Sequence, residues 1–147
     1  METMGAIQEE WTTHLNMFVI KVNCELIEGI NLWASYPWTG SLGSCRVSSG
    51  FFKVKTYYTV KDCTTLANAL TGRPVSVAVD GQNFQFYQSG IFSNCNTNLS
   101  LAVLLVGMTD YFWNLKNSWG TNWGENGYIR ISRGNTCGVC MDASYPN

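Results

Sequence analysis

The sequence predicts an α+β domain on three observations: helical apolar spacing near the amino terminus, a short capped segment around residues 62–71, and a second half of β-branched and aromatic runs separated by Gly-rich turns. Residues 3–15 place Met4, Ile7 and Trp11 at helical spacing, with Gln8, Glu9, Thr12 and Thr13 on the other faces, so a leading helix is expected there despite Gly5. SYPWTGSLGS (35–44) holds enough Pro, Gly and Ser to be a loop. FFKVKTYYTV (51–60) sets Phe52, Val54, Thr56 and Tyr58 on one face against Lys53 and Lys55 on the other, the pattern of a half-exposed strand.

From Asp62 to Thr71 a short helix is expected, with Asp62 as N-cap, Leu66 and Leu70 four residues apart, and Gly72 placed to end it. VSVAV (75–79) is a β-branched run that suits a strand buried on both faces. Phe84, Phe86 and Tyr87 follow in a turn-like stretch ending at Gly90. LAVLLVG (101–107), YFWNLKNS (111–118) and GYIRISR (127–133) complete an antiparallel, barrel-like sheet.

The length of 147 residues fits one folded unit, and 46% apolar content excludes a disordered tail. Only 13% of residues are charged, the net charge is −1 and the basic residues are scattered, so no footprint for nucleic acid is present. No stretch reaches the length of a membrane span; the best apolar run, Leu99 to Met108, is interrupted by Ser100 and Gly107. The first residues, METMGAIQEEWTTHL, lack the zones of a secretory signal.

Six cysteines, at 24, 45, 63, 95, 137 and 140, suit either a disulfide framework from an oxidising compartment or a set of buried thiols. One CxxC pair (Cys137 and Cys140) and a single histidine, His14, make a poor zinc site, so neither metal nor cofactor is expected.

The densest block is Asn117-Ser118-Trp119-Gly120-Thr121-Asn122-Trp123-Gly124-Glu125-Asn126-Gly127-Tyr128. On composition alone it is a tight aromatic corner, with glycines at positive φ and tryptophans as packing. In order along the chain, SYPWTGSLGSC (35–45), GRPVSVAVD (72–80), FQFYQSGIFSNC (84–95), AVLLVG (102–107), NSWGTNWGENGYIRISRGNTCGVC (117–140) and ASYP (143–146) resemble the papain/cathepsin L family of cysteine proteases. TMGAIQEEW (3–11) and CELIEG (24–29) resemble pieces of that family's first domain, with the stretch that normally follows them cut short. The resemblance therefore implies a first-domain remnant over 1–31, with its central helix at 3–15, and the family's second domain over 32–147. The leading helix is expected to dock at the domain junction through Ile7 and Trp11, and apolar surface around Leu101, Trp113 and Trp119 is expected to lie open where the first domain would cover it.

Papain-like cleavage needs a thiolate, a histidine that holds and returns its proton, and a third group that orients the imidazole. The family's Cys-Gly-Ser/Ala-Cys-Trp/Tyr run is absent, and alignment through TMGAI puts the nucleophile upstream of Met1. The histidine position, directly before the alanine of AVLLVG, is Leu101, while His14 reads as an ordinary helix-end histidine. Of the catalytic set, Asn117 matches the asparagine that orients the histidine, and Trp119 matches the tryptophan that shields that pair.

Leu99, Leu101, Trp119 and Asp142 match the second-domain wall of the substrate cleft, Asp142 at the floor of a side-chain pocket or, equally, as a solvated loop acid. The resemblance also implies a Cys95–Cys137 disulfide. Cys63 and Cys140 are then left over in the same domain, with no proof from sequence that they pair, and Cys45 is either free or bridged to Cys24. Three functional expectations follow: an inactive homologue of a cysteine endopeptidase, a pseudoenzyme module binding a peptide, protease, inhibitor or prosegment at the former cleft, or an active protease given incompletely. Relatives of this kind imply a lysosomal, vacuolar or secreted setting.

Overall fold

A computed structural model describes residues 56–146 of the chain. The leading helix with Ile7 and Trp11, the 1–31 remnant, the loop at 35–44, His14, Cys24 and Cys45 lie outside the described residues.

The chain enters through β1 (Tyr57–Val60) and turns into α1 (Cys63–Leu70). Asp62 caps this helix as its chemistry predicts: it is extended, and its carboxylate accepts from the Thr65 N–H at 2.8 Å. That local bond holds the Asp62 carboxyl below its usual range. Leu66 is the residue the helix buries fully, and the helix packs over β2 and β4.

Strands β2 (Val75–Val79), β3 (Ile91–Phe92), β4 (Leu101–Met108), β5 (Phe112–Lys116), β6 (Tyr128–Ser132) and β7 (Ala143–Pro146) join β1 in one seven-stranded sheet of order β1-β7-β2-β4-β5-β6-β3. Every residue of β2 is buried, because β7 and β4 flank it while α1 and the 3-10 turn Thr136–Gly138 contact it. Strands β4, β5 and β6 alternate instead: Val103 and Leu105, Trp113 and Leu115, Ile129 and Ile131 are buried, while Leu104 between two of them is exposed.

Two features depart from the sequence expectation. The sheet is antiparallel in every pair but one, since the two-residue strand β3 runs parallel to β6 at its edge. Trp113, expected on an open face, is fully buried: it points inward with Leu115, donates its indole N–H to the Gly134 carbonyl at 3.0 Å, and carries the Arg133 guanidinium 3.6 Å from its ring centroid.

Candidate functional site

Leu101 opens β4 and pairs with Val79, the last residue of β2. It is half-buried and packs against the core. The segment leading into it is stitched to β2: the Ser100 N–H donates to the Val79 carbonyl at 2.9 Å, and the Ser100 hydroxyl accepts from the Gly81 N–H at 3.2 Å. Asn117 directly follows β5, whose last residue, Lys116, pairs with Leu104. Antiparallel pairing therefore brings the start of β4 and the end of β5, hence Leu101 and Asn117, to the same end of the sheet.

Asn117 is 7% exposed, and its N–H donates to the Gly127 carbonyl at 2.9 Å. Its side-chain Oδ1 accepts from the Ser118 N–H at 2.8 Å, which fixes the orientation of the amide. The Nδ2 amine is buried and has no hydrogen-bond partner among the described residues. A buried amide donor left unpaired costs roughly 1–3 kcal/mol, so the position carries an unmet demand for an acceptor.

Beyond Asn117 the chain turns through the aromatic corner. Gly124 and Gly127 both take positive φ, and a Cβ on Gly124 would stand 2.7 Å from the Tyr128 carbonyl oxygen, so backbone closeness as well as conformation selects glycine there. Trp123 fills the corner: it meets Tyr87 at 5.8 Å, stacks on Phe84, and donates its indole N–H to the Phe84 carbonyl at 3.0 Å. Trp119 stands edge-on to Trp123 with centroids 5.1 Å apart and remains 43% exposed. One tryptophan is thus packing and the other remains open to solvent.

Leu99 lies in the segment that leads into Leu101 and β4, whereas Asp142 lies before β7, in a different part of the sheet. Leu99 is half-buried over Gly138, where an added Cβ would meet its Cδ2 at 2.7 Å. Asp142 directly precedes β7 and accepts from the Ala78 N–H through its backbone carbonyl at 2.9 Å. Burial pushes its carboxyl above the usual range, with Lys61 pulling partly back. Strands β2 and β4 stand between β7 and β5, so Asp142 is set apart from Asn117.

The four cysteines of the described residues are joined in two bridges. Cys95 is bonded to Cys137 and Cys63 to Cys140, with Cα atoms 5.2 and 4.9 Å apart. The CxxC pair is therefore divided between two bridges, and among the described residues no group of three or more His, Cys, Asp and Glu side chains could hold a metal.

Sequence reasoning passed over Asp80, which is 1% exposed. Its two carboxylate oxygens accept from the Gln82 N–H at 3.1 Å and the Asn96 N–H at 2.8 Å, fastening the loop that delivers Leu99 and Leu101. The Asp-Gly pair ending GRPVSVAVDG was the available signal for a turn there.

The model of the papain family of cysteine proteases matches residues 17–147. The chain belongs to that family. Cathepsin L 2 of Paramecium tetraurelia is 44% identical over 114 residues, taking in 76% of this chain and 36% of that protein. Cysteine proteinase COT44 of Brassica napus is 43% identical over 136 residues, 80% of this chain and 41% of its own length. Among solved structures, the Carica candamarcensis cysteine protease CMS1MS2 in complex with E-64 superposes with a TM-score of 0.77 at 35% identity, over 90% of this chain and 65% of that one. Bromelain from Ananas comosus, solved with the E64 inhibitor, gives 0.74 at 33% identity, over 89% and 66%. This papain-family chain thus spans about two fifths or less of those two curated relatives and about two thirds of those solved chains.

Proposed function

We propose that this papain-family chain does not hydrolyse peptides, because Leu101 stands where the family resemblance places the proton-carrying histidine. The observation that carries the reading is the pairing of Leu101 with an unmet donor at the same end of the sheet: Asn117 is buried and its Nδ2 has no partner among the described residues. In the papain arrangement an asparagine at this place serves by engaging an imidazole; a leucine offers it nothing and moves no proton.

A second role rests on what remains open. Trp119 is 43% exposed and Leu99 half-buried, while the sheet that bears them is complete from β1 to β7. That favours a pseudoenzyme which binds a peptide or protein, such as an inhibitor, prosegment or protease, on the second-domain wall that the family resemblance assigns to Leu99, Leu101, Trp119 and Asp142. The two disulfides and the family support a lysosomal, vacuolar or secreted setting.

The test compares the chain with its Leu101→His variant, using a fluorogenic dipeptide substrate, a thiol-reactive epoxide probe, and NMR of the Asn117 side-chain amide. The expected result is no turnover and no labelling of the chain, with the Asn117 amide resonances shifted and protected in the histidine variant. Turnover by the unmodified chain would overturn the reading, since some other group would then be carrying the proton.

A further inference from the structure

The segment between β3 and β4, residues 93–100, contains Asn98-Leu99-Ser100, the one Asn-X-Ser/Thr triplet in the chain. In a protein that passes through the secretory route, such a triplet is an acceptor for N-linked sugar where it lies on a surface loop. A triplet by itself occurs often by chance, so its surroundings decide.

Asn98 is exposed, lies in chain without regular secondary structure, and its side chain makes no hydrogen bond among the described residues. A sugar on its Nδ2 would project into water and unpair nothing. The two residues after it are held: Leu99 packs over Gly138, and Ser100 is bonded to Val79 and Gly81 through both its N–H and its hydroxyl. Cys95, three residues before Asn98, is bridged to Cys137, and Cys63 to Cys140. Bonds of that kind form and persist in the oxidising compartment where N-linked sugar is also added.

The near-triplet Asn135-Thr136-Cys137 provides the contrast. There the Asn135 Oδ1 already accepts from the Cys140 N–H at 3.0 Å, the Thr136 hydroxyl donates to the Arg133 carbonyl at 3.3 Å, and the third residue is a cysteine locked in a disulfide.

We propose that Asn98 is an N-glycosylation site whose sugar stands beside the end of the sheet that bears Leu101 and Asn117. The co-reactant is an oligosaccharide linked through its anomeric carbon to a lipid pyrophosphate. The Asn98 Nδ2 forms a bond to that carbon and loses one proton. The bond from the carbon to the pyrophosphate oxygen breaks, and the lipid pyrophosphate leaves with the electron pair. The attachment point is three residues before Leu101, so the sugar crowds the approach to that end of the sheet. The inference does not depend on whether the chain turns over peptides.

The experiment secretes the full chain from a eukaryotic host behind a secretory leader, as the natural sequence and as Asn98→Gln, Ser100→Ala and Ser100→Thr. Intact mass and peptide maps are taken before and after peptide N-glycosidase. The expected result is one oligosaccharide increment on the natural chain, complete loss of it in Asn98→Gln and Ser100→Ala, retention in Ser100→Thr, and aspartate at position 98 after enzymatic release. Asn98→Gln and the enzymatically released chain should melt together, which keeps the test clear of folding effects in Ser100→Ala. A secreted natural chain with both disulfides formed and no increment on residues 93–101 would overturn the proposal, provided a control glycoprotein from the same cells is modified. So would sugar on Asn135, or an increment that persists in Asn98→Gln.

Discussion

The Cβ of Leu101 lies 2.7 Å from where a Cβ on Gly81 would stand, and the Leu101 Cδ2 lies 2.8 Å from the same point. Position 81 is therefore glycine for want of room, since its φ lies outside the left-handed region. Whatever side chain opens β4 rests against this glycine. Gly81→Ala should destabilise the domain by about 1–3 kcal/mol, the range for overpacking a filled site. Leu101→Ala in the same background should recover only part of that loss, because its own Cβ remains at the clash. Urea unfolding of the two single variants and the double variant measures the coupling. Additive losses would show that the Leu101 side chain beyond its Cβ takes no part in the clash at position 81.

The Cys63–Cys140 bridge closes a span of 77 residues, from the first residue of α1 to the segment that precedes β7. It also holds Cys140 at its hydrogen bond from N–H to the Asn135 Oδ1. A Cys63→Ala, Cys140→Ala double variant should lose roughly 2–5 kcal/mol, the usual cost of removing a native bridge from a small domain, chiefly through a freer unfolded chain. Thermal unfolding, with the Cys95–Cys137 bridge kept oxidised, gives the value. A loss under about 0.5 kcal/mol would mean the sheet alone holds α1 in place.

How far the sequence led depended on how local each determinant is. Helix α1 was readable because its signals sit within one turn: Asp62 bonds the Thr65 N–H and Leu66 supplies the buried face. Strand β2 was readable because VSVAV is buried along its whole length. Strands β3 and β7 were not read. Ile91–Phe92 becomes a strand only by pairing with β6, and Ala143–Pro146 only by pairing with β1 and β2, all distant in sequence. Trp113 was placed on an open face beside Leu101 and Trp119. Yet the alternation Phe112, Trp113, Asn114, Leu115 already set Trp113 on the inward side with Leu115. At the site, Leu101 and Asn117 stood out through family resemblance alone. No local pattern shows that they share one end of the sheet, or that Asp80 fastens the loop between them and Cys95.

Asp142 carries a carboxyl whose proton is held more tightly in the folded chain than in the unfolded one, because burial disfavours the charge and Lys61 offsets only part of that. A raised folded-state value means the charged form costs stability at neutral pH. That cost fades as the pH falls through the raised value toward the ordinary 3.8, and vanishes below it. Asp142→Asn should therefore raise the melting temperature at pH 7 and leave it unchanged near pH 3. A variant that melts lower at pH 7 would show that the carboxylate has a favourable partner instead.

Glu125 and Arg130 form the described chain's bidentate pair, with Arg130 Nε donating to the Glu125 Oε2 at 2.7 Å and Arg130 Nη2 to the Oε1. The Glu125 Oε1 also accepts from the Gly90 N–H at 3.0 Å, so the pair ties the aromatic corner to the turn that leads into β3. Arg130's hydrogen bond is the main reason the Glu125 carboxyl is lowered from 4.5 to about 2, against a smaller opposing push from burial. The guanidinium is correspondingly raised above its ordinary value. A depressed carboxyl contributes stability that is complete above pH 4.5, declines as the pH falls from there toward about 2, and is gone below it. Glu125→Gln keeps an acceptor for Gly90 but loses the charge. It should unfold more easily than the natural chain at pH 5 to 7, and the two stabilities should converge as the pH approaches 2. Equilibrium unfolding across that range decides the matter: two parallel curves would mean the pair contributes through packing on Phe112, which lies 5.3 Å beneath the guanidinium, and not through its charge.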